Sequence, residues 1–203
     1  PQAVTANSRA GAQLHVRELG YAPRRLVVLE NGVDGVVFRP DGAARARLRA
    51  EWGVGDGEVL VGLAARVDPM KGHDIFCAAA RAVVDRYPQV RLVFCGQGTE
   101  LAAQAGGGGE EWTALLERQG LAAAAVRLGR REDMPAVLAA LDVLALPSLG
   151  EGFPNALAEG LACGVPVAGL DVGEARALAG PGGLVAGAAA SAPGAGVAAR
   201  AAA

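Results

Sequence analysis

Residues 142–168, DVLALPSLGEGFPNALAEGLACGVPVA, contain the clearest structural pattern in the chain. Its first five residues, Asp142–Leu146, form a mostly apolar run of the length expected for a buried strand. Pro154–Cys163 predicts a helix that opens on a proline and ends before a glycine, and Val165–Ala168 predicts the next strand. Two strands joined by a helical crossover lie parallel in one sheet.

The same alternation extends through the rest of the chain. Short apolar runs predict strands at Leu26–Leu29, Glu58–Ala64, Val90–Cys95, Val126–Leu128 and Leu184–Val185. Capping residues and helical spacing predict helices at Asp41–Trp52, Asp74–Tyr87, around Trp112–Leu116, after an Asp133 cap and at Gly173–Leu178. These repeats predict an α/β fold, a Rossmann-like parallel sheet with helices on both faces. Ligands of such sheets bind beyond the carboxyl ends of the strands, so functional residues should follow strands.

Composition excludes several classes of protein. The 203 residues suffice for one domain with a short appendage. Charged residues make up 20% of the chain with a net charge of −2, which argues against a polybasic nucleic-acid binder. The apolar runs are far shorter than the roughly 18 residues that a membrane helix needs, and no secretory leader opens the chain. We therefore expect a cytoplasmic protein in which Cys77, Cys95 and Cys163 are buried thiols.

Two cations follow the strand Glu58–Ala64. Arg66 and Lys71 lie five residues apart in the loop before the next helix. Loop cations there can converge on an anion at the helix N-terminus, where free backbone N–H groups already favour negative charge. The spacing alone equally allows two solvated surface cations.

A second loop, Pro147–Asn155, carries a carboxylate and a helix entrance. Glu151 lies in the loop and Glu159 lies deeper in the helix that follows. A loop carboxylate beside free amides can bind a sugar hydroxyl, and a second one can accept both hydroxyls of a ribose. Glu159 taken singly fits an exposed helical residue as well. The amides at the helix entrance belong to Gly152, Phe153 and Asn155.

A third loop, Leu128–Met134, also joins a strand to a helix. Gly129 permits a planar base to approach the backbone closely. A capped helix start with a solvated charge cluster explains this loop equally well.

Several familiar motifs do not occur in the sequence. Gly96-Gln97-Gly98 does not continue into a dinucleotide-binding fingerprint, and the sequence has no P-loop. It has no Asp-x-Asp pair for a diphosphate-bound magnesium ion. We expect His15 and His73 at the surface, without the partners that activate a nucleophile.

Together the three loops resemble the donor half of a retaining GT-B glycosyltransferase of group 1 (family 4). The resemblance is carried by Val61–Arg66 with Lys71-Gly72, Leu128–Met134, Pro147–Glu159 and Ala162–Val167, with Asn31–Asp34 and Phe38–Pro40 upstream. It implies that Arg66 and Lys71 hold the donor diphosphate, that Glu151 contacts sugar hydroxyls and that Glu159 binds the ribose. It also implies that the amides of Gly152, Phe153 and Asn155 face the sugar and phosphate. The base would lie near Leu128, Gly129, Arg130 and Met134.

The resemblance further implies a hexosyl-type transferase of EC class 2.4 that uses a UDP-, GDP- or other nucleotide-diphosphate sugar without a metal or cofactor. The acceptor, a sugar, a lipid-linked molecule or a small molecule, would bind a missing N-terminal domain, which could also attach the protein peripherally to a membrane. We expect residues 1–22 to end an interdomain linker and helix, residues 23–185 to form the donor domain and residues 186–203 to be a poorly ordered Ala/Gly-rich tail. The chain alone would then be inactive.

Two alternatives remain from the sequence. One is a non-catalytic nucleotide-binding fragment. The other is a GT-B nucleotide-sugar epimerase, which would need an acid or base near the sugar, and His73 is the one remote candidate.

Overall fold

A computed structural model of the chain describes residues 2–100 and 109–186, with backbone alone for residues 109–111. Its strands are β1 (Ala3–Ala6), β2 (Arg25–Val28), β3 (Val59–Ala64), β4 (Val90–Cys95), β5 (Ala125–Gly129), β6 (Val143–Leu146), β7 (Val167–Leu170) and β8 (Leu184–Ala186). Its helices are α1 (Arg9–Arg17), α2 (Gly42–Glu51), α3 (His73–Arg86), α4 (Gly109–Arg118), α5 (Met134–Ala140), α6 (Asn155–Ala162) and α7 (Ala175–Ala179).

Six strands form one parallel sheet in the order β5-β4-β3-β6-β7-β8. The chain winds outward from β3 to β5, returns through α5 to β6 and winds outward again to β8. The reversal of direction lies between β3 and β6. Loops that follow these two strands therefore meet at the point where such sheets bind ligands.

Helices cover the large sheet on both faces, as predicted. On one face α3 and α4 contribute Phe76 and Trp112, whose rings pack edge-on against Phe94 of β4 with centroids 5.5 and 4.8 Å away. On the other face α5, α6 and α7 pack leucines such as Leu138 and Leu157 onto the sheet. The α3–α4 face thus holds a cluster of three aromatic rings among aliphatic side chains, and the buried cluster of the other face is aliphatic apart from Cys163, with Phe38 and Trp52 partly buried against it.

The strand predicted at Val165–Ala168 lies two residues later than expected, at Val167–Leu170. Val165 belongs to the end of the preceding helix, because its N–H donates to the Gly160 carbonyl over 2.9 Å. Pro166 has no N–H to give to a ladder. The helix end and the proline therefore delay the start of β7.

A second, two-stranded parallel sheet contains β1 and β2. The predicted strand Leu26–Leu29 lies here, beside β1, and not in the large sheet. The N-terminus of α1 contacts the connection between β7 and α7, because Glu174 Oε1 accepts N–H groups of Arg9 over 2.6 Å and Ala10 over 3.2 Å. Of the predicted tail 186–203, Ala186 ends β8 and the remainder lies outside the described residues.

The two predicted aspartate caps have different outcomes. Asp41 caps α2 as expected, since its carboxylate accepts the Ala44 N–H over 2.9 Å. Asp133 stands at the start of α5 but makes no capping hydrogen bond. Its two oxygens instead accept the guanidinium of Arg131, each over 2.8 Å. A neighbouring cation competes successfully for a carboxylate that could have capped the helix.

Burial confirms the expectation for the three cysteines and corrects that for the histidines. Cys77, Cys95 and Cys163 are buried and free. His73, expected at the surface, is only 5% exposed and packs edge-on against Trp112 with ring centroids 5.2 Å apart. Burial lowers the pKa of His73. His15 is half-buried and stacks on Tyr21.

Candidate functional site

Lys71 and Glu151 meet at the carboxyl edge of the large sheet. Lys71 Nζ lies 2.7 Å from Glu151 Oε1, although the two residues are 80 positions apart in sequence. The lysine side chain is 27% exposed and the glutamate side chain 12%. Two of the three residues predicted to act on the donor therefore form one partly buried ion pair.

Close backbone packing between the two loops holds this pair together. The loop after β3 contains a short 3-10 turn, Pro69–Lys71, followed by Gly72 with a φ of 65°. A Cβ atom on Gly72 would clash with the carbonyl oxygen of Pro147, which ends β6. The Leu149 N–H also donates to the Met70 carbonyl over 2.9 Å. Only glycine fits this approach, and the approach delivers Lys71 to Glu151.

Arg66, the third of these residues, lies in the same loop as Lys71 and is more exposed. Its side chain is 65% exposed and forms an ion pair with Asp68, with 2.8 Å between Nη2 and Oδ2. The Arg66 guanidinium and the Met70 N–H lower the pKa of Asp68, so this carboxylate is ionised at neutral pH. Sequence reasoning did not single out Asp68, although an aspartate before a proline is a turn and helix-start signal.

Glu159 lies in the middle of α6 and is half-buried. Desolvation by this burial raises the pKa of its carboxyl group. A fully exposed helical glutamate would not show this effect. The structure therefore places Glu159 on a partly covered part of α6. The loop that contains Glu151 directly precedes this helix.

The helix-entrance residues lie at the N-terminus of α6, as predicted. Asn155 is the first residue of the helix, and its Oδ1 accepts the side-chain amide of Asn31 over 2.8 Å. Phe153 is buried. Gly152 lies under Asn7 and its carbonyl accepts the Glu174 N–H over 3.2 Å. The loop is thus held from both sides by residues distant in sequence.

Gly173 packs closely against the backbone of the same loop. Its φ is 53°, and a Cβ atom there would clash with the carbonyl oxygens of Glu151 and Gly152. Glu174, the next residue, binds the N-terminus of α1 through its side chain. The turn at Gly173 therefore connects the Glu151 loop to the N-terminus of α1, a role for which the sequence contains no local signal.

The third predicted loop, Leu128–Met134, contributes some of its side chains to the hydrophobic core. Leu128 and Met134 are partly buried and pack against the hydrophobic core. Arg130 is exposed. Gly129 has a φ of 62°, and a Cβ atom on it would clash with the Glu100 side chain. The close approach to Gly129 that was predicted for a base is thus occupied by Glu100.

Glu100 joins two loops that follow neighbouring strands. Its Oε2 accepts the Gly98 N–H over 2.6 Å, and its Oε1 lies 3.4 Å from the Arg130 nitrogen. Sequence alone could not single out Glu100, because its role depends on β4 and β5 being neighbours in the sheet.

Within residues 2–100 and 109–186, no group of three or more His, Cys, Asp or Glu side chains is arranged to hold a metal ion. Across the same ranges, each helix is too short or too polar to cross a membrane.

Comparison with known proteins identifies the family of the chain. A family model described as glycosyl transferases group 1 matches residues 58–201. The D-inositol 3-phosphate glycosyltransferase of Segniliparus rotundus is 34% identical over 181 residues, which cover 84% of this chain and 37% of that protein. The chain therefore spans well under half of the length of this relative.

Solved structures give the same result. The crystal structure of Anabaena Alr3699/HepE in complex with UDP and glucose matches with a TM-score of 0.79 and 28% identity, over 92% of this chain and 49% of that one. WaaG, a glycosyltransferase involved in lipopolysaccharide biosynthesis, matches with a TM-score of 0.78 at 18% identity, over 91% of this chain and 49% of that one, and supports the fold alone. These matches confirm the predicted fold, one half of a GT-B glycosyltransferase. The chain belongs to the group 1 glycosyl transferases.

Proposed function

We propose that this chain is the donor half of a retaining, metal-independent glycosyltransferase of family 4, which transfers a hexosyl group from a nucleotide-diphosphate sugar. The observation that carries the proposal is the contact between Lys71 and Glu151, which brings a cation and a carboxylate from two strand-end loops to the reversal point of the sheet. Arg66 adds a second, largely exposed cation to the same loop.

The two cations have the capacity to bind a diphosphate. An ammonium group has three N–H donors, and Glu151 uses one of those of Lys71. Lys71 can therefore hold a phosphate oxygen and Glu151 at once. Arg66 presents a guanidinium fork suited to phosphate geometry. In this proposal Glu151 orients Lys71 with one oxygen and accepts a sugar hydroxyl with the other.

The remaining proposed contacts extend from this pair. Glu159 accepts the two ribose hydroxyls, and its partial burial strengthens such hydrogen bonds. The amides of Gly152, Phe153 and Asn155 face the sugar and phosphate. The base lies near Leu128, Gly129, Arg130 and Met134, against the Glu100 side chain that covers Gly129.

The chemistry needs charge stabilisation more than a nucleophile. The bond between the anomeric carbon and the diphosphate oxygen breaks, and its electron pair stays on the diphosphate. Arg66, Lys71 and the helix-end amides stabilise that negative charge where it develops. The acceptor oxygen bonds to the same face of the anomeric carbon, and its proton passes to the leaving phosphate oxygen. Configuration is thereby retained without a metal or a cofactor.

The acceptor domain is proposed to lie outside this chain. A two-stranded parallel sheet such as β1–β2 is smaller than sheets that are stable alone, which supports its membership of a larger sheet in another domain. In this division, residues 1–22 end the linker and helix, residues 23–185 form the donor domain and residues 186–203 are the tail. Because β2 pairs with β1, the boundary fits better after β2 than at residue 22.

The relatives suggest where to begin with the donor. HepE was crystallised with UDP and glucose, so a UDP-hexose is the first donor to test. The acceptor is expected to be a sugar, a lipid-linked molecule or a small molecule, in a cytoplasmic setting.

The two alternatives differ in standing. A non-catalytic nucleotide-binding role of the isolated chain is compatible with the same contacts. An epimerase is disfavoured, because the proposed acid or base, His73, is buried against Trp112 instead of facing the loop of Glu151.

Calorimetric titration of the full chain with UDP, GDP and ADP, with and without EDTA, tests the proposal. We expect binding of at least one nucleotide that EDTA does not change, and no nucleotide release from the matching sugar donor on addition of acceptors. Transfer needs an acceptor held beside the anomeric carbon, an effect worth roughly 7–11 kcal/mol of barrier. Binding that disappears in EDTA would contradict metal independence, and acceptor-dependent turnover would contradict the need for a second domain.

A further inference from the structure

Asp68 is the residue that connects the two candidate cations of the β3–α3 loop. Its Oδ2 accepts both Nε and Nη2 of Arg66, over 3.1 and 2.8 Å. Its Oδ1 accepts the Met70 N–H over 2.9 Å. One carboxylate thus orients the Arg66 guanidinium and caps the turn that carries Lys71.

The backbone of Asp68 completes the arrangement. Its carbonyl accepts the Lys71 N–H over 2.9 Å, which closes the turn. The Met70 carbonyl of the same turn accepts the Leu149 N–H from the loop of Glu151. The position of Lys71 relative to Glu151 therefore depends on a turn that Asp68 stabilises with both its side chain and its backbone carbonyl.

A carboxylate in this place opposes the binding of an anion. It lies 2.8 Å from a cation that would meet a diphosphate, and it lowers the local positive potential. The ion pair also favours binding, because it restricts the conformations of the Arg66 side chain. This side chain is 65% exposed and would otherwise sample many rotamers. Asp68 itself is 24% exposed and held by the turn, so it is the fixed member of the pair.

We propose that Asp68 is a positioning residue that sets the spacing of Arg66 and Lys71 for the donor diphosphate. The inference rests on the proposed function and assigns no contact between Asp68 and the donor. Asp68 acts through Arg66 by its Oδ2 and through the turn of Lys71 by its Oδ1.

A double-mutant cycle on the full chain tests the inference, with UDP as the probe and its dissociation constant as the readout. Asp68→Asn keeps an acceptor for the Met70 N–H but removes the ion pair, so UDP binding should weaken about two- to fivefold, the range for exposed ion pairs. In an Arg66→Ala background the same substitution should leave binding unchanged or tighten it, because only the repulsion remains to be removed. Asp68→Ala should weaken binding by about tenfold, because the turn also loses its cap.

The control is Asp85→Ala, which breaks a comparable exposed pair with Arg81 on α3, away from the site. It should leave UDP binding unchanged. Equal weakening by Asp68→Asn in both backgrounds, or no weakening in the otherwise native chain, would overturn the inference. A native chain that binds none of UDP, GDP and ADP would instead overturn the proposed function, as would unaltered affinity in both Arg66→Ala and Lys71→Ala.

Discussion

The two edges of the large sheet hold their charges differently. At the amino edge, Asp142 pairs with Arg45 over 2.5 Å and with Arg49 over 2.9 Å, and it also accepts the Leu60 N–H. Arg49 donates further to the Gly55 and Glu58 carbonyls and is only 8% exposed. At the carboxyl edge, Lys71 has one carboxylate partner and donors to spare, and Arg66 is 65% exposed.

This difference separates a structural charge cluster from a candidate binding site. At the amino edge, the nearly buried Arg49 guanidinium already donates to three acceptors of the chain itself, so it has little left to offer a ligand. The carboxyl-edge cations are oriented but incompletely satisfied. The first four of five predictions test whether stability depends on the first edge and binding on the second, and the fifth concerns the C-terminal tail.

The largest effect is expected for Asp142→Ala. Removing one partner of a buried ion pair leaves the other charge uncompensated, which costs roughly 3–5 kcal/mol. Because Asp142 is 28% exposed, we expect a loss of about 2–4 kcal/mol in the free energy of unfolding, measured by urea denaturation. UDP affinity should not change. A loss below about 0.5 kcal/mol, the size of an ordinary surface effect, would remove the distinction between the edges.

The same cluster predicts an acid dependence. Burial raises the pKa of Asp142, but the Leu60 N–H, Arg45 and Arg49 outweigh it and lower the pKa overall. A lowered folded-state pKa stabilises the protein above the unfolded value of about 3.9, and the stabilisation is lost as pH falls through the folded value. Asp142→Asn should flatten this acid branch of the stability profile.

At the carboxyl edge, Arg66→Ala and Lys71→Ala should each weaken nucleotide-diphosphate binding about ten- to a hundredfold, the range for charge-assisted hydrogen bonds. Arg66→Ala should cost under about 1 kcal/mol of stability, because its pair is exposed. Arg47→Ala, an exposed cation on α2, is the control that should change neither property. Unchanged affinity in both site variants would exclude the diphosphate assignment.

Glu159→Ala should have a more selective effect. It should weaken UDP by about tenfold and 2′-deoxy-UDP much less, because the ribose diol is the proposed partner. Glu117→Ala, an exposed glutamate on α4, serves as the control. Equal losses for both ligands would reduce Glu159 to an ordinary helical residue.

The smallest effect is expected from removing the tail, residues 186–203. This segment has Val197 as its single large apolar residue, and apolar burial at roughly 25 cal/mol per Å² is the main stabilising contribution. The melting temperature should fall by less than about 2 °C. Removal of residues 187–203 alone, which spares Ala186 in β8, should have even less effect, and a fall of many degrees would show that the tail packs on the domain.

The sequence predicted most strands well because they are short apolar runs between turns, as at Val90–Cys95, which the structure reproduces residue for residue. Strand β1, Ala3–Ala6, was not predicted. It also predicted that Arg66, Lys71 and Glu151 follow strands and lie at one edge. It could not predict that Lys71 touches Glu151, because that contact needs β3 beside β6, and the sheet order differs from the chain order. The position of Glu100 over Gly129 depends on strand order in the same way.

The prediction for His73 failed for a related reason. Its neighbours in sequence, Gly72 and Asp74, indicate a polar helix start. Its neighbour in space is Trp112 of α4, the helix that follows β4 in the chain. Burial of a polar ring by a distant aromatic residue leaves no local signal in the sequence.

Gly72 and Gly173 have a consequence for anyone who wishes to redesign donor choice. A Cβ atom at either position would clash with a backbone carbonyl oxygen of a neighbouring loop, so neither position tolerates even the methyl group of alanine. A mutant library should therefore keep both glycines and vary the side chains of the loops that they contact, so that the backbone of these loops is preserved. The same two positions give a simple sequence filter, because a candidate variant that replaces either glycine can be discarded before it is made.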